Sequence, residues 1–227
     1  DLREFSQEVK IGFEKESFRV RNKRISKTLH PRSLGSSLCN NYITTDFSEA
    51  QLELITLPLM GDASKFMLDD IHHFVSRNIE DEILWPLSMP PDISSEKDIS
   101  IARFGSSYEG RFKHIYRIGL ANRYGRSMQS ISGLHFNYSL PERFWEYFES
   151  FSDIDINKFR SDSYLNILRN IYSMNWLLIY LFGASPIIQK KIICNQLEHF
   201  SKLDKNNLFL PYATSLRMSE YGYSNSE

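Results

Sequence analysis

The sequence predicts an α+β fold, a curved and mainly antiparallel sheet with helices on its outer face. Three observations predict it. First, the segments Gly12–Glu16, Thr45–Ile55 and Gly133–Tyr138 alternate polar and apolar residues, the period of a β-strand. Second, residues 9–25 read as a hairpin that turns at Asn22. Third, the stretches 62–79, 106–120 and 162–182 place apolar residues at helical spacing.

Taken in order, Val20-Arg21-Asn22-Lys23-Arg24-Ile25 forms the hairpin's turn, and its basic residues make a solvated face rather than a nucleic-acid ribbon. A polar loop runs through Ser33–Ser37. A strand is expected from Asp46 to Thr56, ending near Pro58. Asp62 is positioned as the N-cap of a helix bearing Phe66, Met67, Ile71, Phe74, Val75 and Ile79. His72 and His73 are adjacent on that helix and point apart, so they read as structural rather than as a metal pair. Trp85–Pro91, rich in proline, is an extended loop. Ser106-Ser107-Tyr108-Glu109 fits a capping box for the next helix, which carries Phe112, Ile115, Tyr116 and Leu120. Arg111, Lys113, Arg117, Arg123 and Arg126 make this region basic, and such charges are usually solvated. Residues 162–182 form a longer helix, with Gly183 at its C-terminus. Its apolar end, Trp176–Phe182, is expected to be buried. The lysine-rich stretch 187–207 reads as a surface excursion.

Composition bounds the function. Of the 227 residues, 41% are hydrophobic and 14% aromatic, so the chain has the material for a sizeable core, as one domain or two. A net charge of -1 gives no general attraction to nucleic acid or to anionic membranes. Two cysteines, Cys39 and Cys194, exclude a disulfide scaffold and suit a reducing compartment, the cytoplasm by default. No secretory signal is present at the first residues, and no apolar run approaches the roughly 20 residues that span a bilayer. The first residue is not Met, and Gly222–Glu227 does not read as a domain ending; both features lead us to expect a longer natural chain.

The polar strand faces carry the chemistry. Glu14 and Glu16 share a face, Glu53 lies opposite Leu52 and Leu54, and His135 and Asn137 lie opposite Leu134, Phe136 and Tyr138. Carboxylates on antiparallel strands usually face water. If these strands pair, however, the carboxylates and the imidazole converge, and like charges repel unless a cation neutralises them. Hard oxygen donors suit Mg²⁺, which keeps water or phosphate oxygens in its shell. The sequence has neither a G-x-x-x-x-G-K-[ST] loop nor a G-x-G-x-x-G fingerprint, so any nucleotide is held through metal.

Six ordered motifs, Gly12–Val20, Thr44–Phe47 with Glu53, Trp85–Pro90, Gly133–Asn137, Leu181–Pro186 and Leu210–Arg217, resemble the proteobacterial type of glutamate–cysteine ligase. The resemblance runs from about residue 8 to the last residue and covers only the N-terminal half of that family's chain. It implies a glutamine-synthetase-like fold in which residues 1–227 form the N-terminal portion of a single catalytic domain. It also implies ATP-dependent ligation: the γ-carboxylate of glutamate attacks the γ-phosphate of ATP, and the cysteine amine then attacks the acyl phosphate to give γ-glutamylcysteine. By the resemblance, Glu14, Glu16, Glu53 and His135 are metal ligands or their neighbours, for Mg²⁺ or Mn²⁺, and Asp46 binds metal or the cysteine amine. Phe47, Tyr116, Leu120, Gln129 and Tyr223 resemble the cysteine-side pocket. Arg217 suits a substrate carboxylate or the transferring phosphoryl group. The implied partners are glutamate, cysteine and ATP, without nucleic acid or membrane, in a chain that is monomeric when complete. Two other readings stay open, a related carboxylate–amine ligase that uses another amine and a noncatalytic binding module. The family's second half would carry a further acidic ligand and much of the nucleotide site, so this portion alone is expected to be inactive.

Overall fold

The computed structural model describes residues 2–150, 155–192 and 197–219. Its elements are α1 (Leu2–Ser6), β1 (Lys10–Arg21), β2 (Arg24–Ile25), β3 (Ile43–Thr45), β4 (Gln51–Ile55), β5 (Leu59–Met60), α2 (Ala63–Asn78) and β6 (Ile83–Leu84), followed by α3 (Tyr108–Tyr124), α4 (Arg126–Gln129), β7 (Leu134–Ser139), α5 (Glu142–Glu149), α6 (Ile156–Phe182), β8 (Ile187–Gln189), β9 (Ser201–Lys202) and β10 (Asn207–Phe209). The class is α+β with an antiparallel sheet, as expected.

The long strand β1 organises the chain. It pairs antiparallel with β4, β5, β6 and β7, and β3 pairs with β4. The hairpin to β2 places Val20 opposite Ile25 and turns through Asn22 and Lys23, with φ of 51° and 63°, the two left-handed positions of a type I′ turn. Arg21 and Arg24 beside the turn stay at the surface, as expected, and Arg21 pairs with Asp81 at 2.7 Å, whereas Arg19 is fully buried.

Strand alternation divides β1 into two faces with two cores. On one face Leu52 and Leu54 join Ile43 and pack against Ile71, Val75 and Ile79 of the α2 region. On the other, Phe18 and Val20 join Phe47, Ile93, Ile99, Ile131, Ile188, Leu208 and Leu216. Glu14 and Glu16 lie on this second face, ahead of the apolar part.

Four expectations change. Asp46–Ala50 is a turn rather than strand: Gln51 N–H donates to Ser48 O at 2.9 Å and Asp46 N–H to Gln51 O at 2.9 Å. It is held from outside by Glu49, whose carboxylate accepts the backbone N–H of His30 at 2.9 Å and of Arg103 at 2.6 Å. The N-cap of α3 is Ser107, one residue later than expected, with its hydroxyl accepting Gly110 N–H at 3.1 Å. The described residues of 187–207 are not wholly a surface excursion: β8, β9 and β10 pair as a small sheet and Ile188 and Ile192 are buried in the second core beside Leu208, while Lys190, Lys191 and residues 202–206 stay exposed. Finally, Trp176–Phe182 is not buried: Trp176 is 70% and Phe182 78% exposed, although Thr214 Oγ1 donates to Ile179 O at 3.0 Å on this stretch.

Candidate active site

Register builds the site. In the β1–β4 pair Glu16 lies opposite Glu53, and in the β1–β7 pair Glu14 lies opposite His135. Directly opposed residues point to the same side, so Glu14, Glu16, Glu53 and His135 share one face of the sheet. This is the convergence that the alternation predicts.

The contacts are specific. His135 Nδ1 lies 3.1 Å from Glu14 Oε2, and its Nε2 lies 3.4 Å from Glu16 Oε1. Asn137 Nδ2 donates to Glu14 Oε1 at 2.9 Å. Glu16 is buried and receives Gly133 N–H at 2.8 Å, Gln51 Nε2 at 3.4 Å and Arg217 Nη1 at 3.2 Å. Glu14 and His135 keep substantial exposure, so the cluster is open to solvent at that end.

Negative charge nevertheless exceeds its local compensation. Burial, and then the carboxylates of Asp46, Glu16 and Glu14, push Glu53 up to about 7. Burial and then Glu16 push Asp46 up to about 6, against the opposing pull of Arg117 and Arg217. Both carboxyls thus hold their protons to higher pH than ordinary carboxylates, Glu53 into the neutral range. Perturbed groups of this kind are enriched at functional sites.

The other expected residues distribute unevenly. Asp46 lies on the β3–β4 turn, near enough to Glu16 and Glu53 to interact electrostatically with both. Phe47, on the same turn, is buried in the second core. Leu120 is partly buried against that core, whereas Tyr116 is 55% exposed. Gln129, at the end of α4, keeps a buried Nε2 without a hydrogen-bond partner. Tyr223 lies outside the described residues.

Arg117 was grouped with solvated charges, and the structure corrects this. Its guanidinium donates to Asp46 O through Nε, to Lys113 O at 3.1 Å and to Thr45 O at 3.4 Å, and it stacks 4.5 Å from the Phe104 ring centroid. It therefore pins the turn that presents Asp46. Its i+4 relation to Lys113 was visible, but the distant carbonyls at 45 and 46 were not. Gln51 was likewise missed: it is fully buried, donates to Glu16 and Ser132, and leaves its Oε1 unpartnered.

The donor set suits a hard divalent cation: carboxylate oxygens, an imidazole, and carboxyls whose mutual repulsion a cation would relieve. Gln51 Oε1, buried and unpartnered on a side chain that donates to Glu16, adds a spare oxygen. As placed, however, no three His, Cys, Asp or Glu side chains among the described residues gather closely enough to hold one ion. The reason is local, since Arg217, His135 and Asn137 already engage the oxygens of Glu16 and Glu14.

The chain thus carries, on one face of an antiparallel sheet, a carboxylate–histidine–arginine cluster that is open to solvent at Glu14 and His135. The family model for glutamate–cysteine ligase matches residues 2–227. The chain belongs to the glutamate–cysteine ligase family. It is 46% identical over 220 residues to glutamate–cysteine ligase of Pseudomonas putida, with 95% of this chain and 42% of the relative covered. It also resembles the crystal structure of glutamate–cysteine ligase from Francisella tularensis in complex with AMP, at TM-score 0.85 and 41% identity, over 94% of this chain and 43% of that one. A crystal structure of a bifunctional glutathione synthetase from Pasteurella multocida matches at TM-score 0.77 and 32% identity, over 96% of this chain and 27% of that one. The chain thus spans less than half the length of these relatives.

Proposed function

We propose that this chain is the N-terminal portion of a single catalytic domain and supplies the acidic half of an ATP-dependent site that joins the γ-carboxylate of glutamate to the amine of cysteine. The observation that carries this reading is the shared face of Glu14, Glu16, Glu53 and His135, with Arg217 against it, in a chain that belongs to this family. Mg²⁺, or Mn²⁺ in its place, would be held by Glu14, Glu16, Glu53 and His135. When bound it would neutralise phosphate charge during phosphoryl transfer.

The chain's own residues do the rest by position and charge. Arg217 is the cation nearest the cluster and suits the glutamate α-carboxylate or the moving phosphoryl group. Asp46, with its pKa near 6, can hold the cysteine amine and take its proton as that amine attacks the γ-glutamyl phosphate. Arg117 keeps the Asp46 turn in register. Phe47, Leu120, Tyr116, Gln129 and Tyr223 would line the cysteine side. The reaction would run in the cytoplasm, in a protein monomeric when complete; among the described residues no helix is long and apolar enough to cross a membrane.

Two measurements test the reading. The chain is incubated with ATP, Mg²⁺, glutamate and cysteine, and γ-glutamylcysteine is assayed by mass spectrometry, with and without the part of a relative that lies beyond the match. Product is expected only in the second case, and robust product from the chain alone would refute the need for the remainder. A panel of other amines in the same assay separates this ligase from one with a different acceptor. In a complete enzyme, Glu53→Gln keeps the shape and loses the charge, so most turnover should disappear while the fold remains.

A further inference from the structure

The Arg217 guanidinium does not simply approach the cluster; it has a seat. Nη1 lies 3.2 Å from Glu16 Oε2 and Nη2 lies 3.4 Å from Glu16 Oε1, a two-point pairing with a buried carboxylate. Nη1 also donates to Ile131 O, and Nη2 lies 3.4 Å from His135 Nε2. The floor of the seat is Gly133, where a Cβ would stand 3.0 Å from Cζ, 3.1 Å from Nη2 and 3.2 Å from Nη1. An added Cβ would make the guanidinium give by a few tenths of an ångström. The backbone behind it is anchored, because Leu216 is buried in the core and its N–H donates to Ser185 O at 2.8 Å.

We propose that Arg217, seated on Gly133, is the resident counter-cation of Glu16 and competes with the divalent cation for that carboxylate. The proposal rests on the reading of this face as a divalent-cation site. A carboxylate has about four lone-pair positions. Those of Glu16 already receive Gly133 N–H, Gln51 Nε2, both Arg217 nitrogens and the edge of His135. A cation that takes Glu16 as a ligand meets the guanidinium at the same two oxygens, and the two positive charges repel at that distance. By linkage the effect is reciprocal, since cation binding releases Arg217 from Glu16 and makes it available to an anionic group of the substrate. The device couples filling of the metal site to arming of the arginine.

The test is Mn²⁺ binding, followed by electron paramagnetic resonance of the free ion, on the 227-residue chain and four variants. Arg217→Met should bind Mn²⁺ about tenfold more tightly than the parent, and Gly133→Ala, which keeps the charge and only shifts the guanidinium off its seat by a few tenths of an ångström, about twofold more tightly. Glu16→Gln should weaken binding, and Arg217→Met added to Glu16→Gln should give no gain over Glu16→Gln alone. Thermal unfolding checks that each variant is folded, and Gly133→Ala carries the test if Arg217→Met is not. Equal affinity of the parent and both single variants at Arg217 and Gly133 would overturn the competition while leaving the metal site intact. A gain that persists in the Glu16→Gln background would overturn it too, since it would reflect loss of distant charge. Absence of Mn²⁺ binding by every form would overturn the metal reading along with it.

Discussion

Strand β1 carries a buried charge cluster on each of its faces, and the two are built in opposite ways. On the α2 side Arg19, fully buried, meets Glu82 Oε2 at 2.6 Å, while Thr28 Oγ1 donates to Glu82 Oε1 at 2.8 Å and Ser26 donates to the same oxygen. Arg19 also donates to Thr28 O at 2.9 Å and Glu49 O at 3.2 Å. Burial alone would raise the Glu82 pKa, but these hydrogen bonds and the guanidinium bring it below its usual value. On the other face four carboxylates, Glu14, Glu16, Glu53 and Asp46, share Arg217 and His135, and two of them are pushed up to about 7 and about 6. The first cluster matches its carboxylate with a guanidinium and two hydroxyls, leaving Arg19 Nε as its unpartnered atom. The second keeps an excess of carboxylates, the kind of perturbation that is enriched at functional sites.

This contrast can be broken by mutation. The largest effect is expected at the closed cluster: Arg19→Met strands a buried carboxylate and should cost about 3–5 kcal/mol in urea unfolding. A loss below about 1 kcal/mol would mean that Glu82 finds water or another partner. At the open cluster the sign reverses. Glu53→Gln removes a repelled, desolvated charge and should stabilise the chain at pH 8 by about 1–2 kcal/mol, and a destabilised variant would refute the excess of negative charge.

The pH dependence follows with opposite signs on the two faces. A raised carboxyl binds its proton more tightly in the folded state, so Glu53 makes stability fall as pH rises from its ordinary 4.5 to about 7, and Asp46 does so from 3.8 to about 6. Glu82, held below its ordinary value, contributes stability above that value and loses it as pH falls. The urea midpoint of Glu53→Gln should therefore exceed that of the parent above pH 7 and approach it near pH 4.5. A constant difference across this range would show that titration is not the cause. The smallest effect is metal binding itself: Mg²⁺ at a concentration equal to its Kd should add about 0.4 kcal/mol at pH 8. Less is expected at pH 5.5, where protons hold Glu53 and Asp46, and an equal gain at both values would place the ion elsewhere.

Much of this was legible in the residues. Alternation alone put Glu14 with Glu16 and set Glu53 against Leu52 and Leu54, because a strand offers its side chains only two directions. Asn22 marked the hairpin, and Gly183 marked the end of the long helix. What was misjudged depended on distant partners. The Asp46 turn is fixed by Ser48 bridging to Ile101 and by Glu49 reaching His30 and Arg103. Ile188 and Ile192 of the stretch 187–207 entered the core because they share one apolar cluster with Phe18 and Val20, far away along the chain. The helices α2 and α6 have equally clear apolar spacing, yet α2 buries Ile71 and Val75 against the sheet while α6 buries none of its residues among those described.

The sequence by itself determined the periods, and hence which side chains share a face and which elements are strand or helix; these are properties of neighbours in the chain. It also carried the family, through short motifs in fixed order. Only the tertiary structure decided the strand register that sets Glu16 opposite Glu53 and Glu14 opposite His135, the pinning of the Asp46 turn by Arg117, and the seating of Arg217 on Gly133. Those contacts join residues 37 to 121 positions apart, and the charge that one carboxylate feels from another depends on separation in space, which no local pattern encodes.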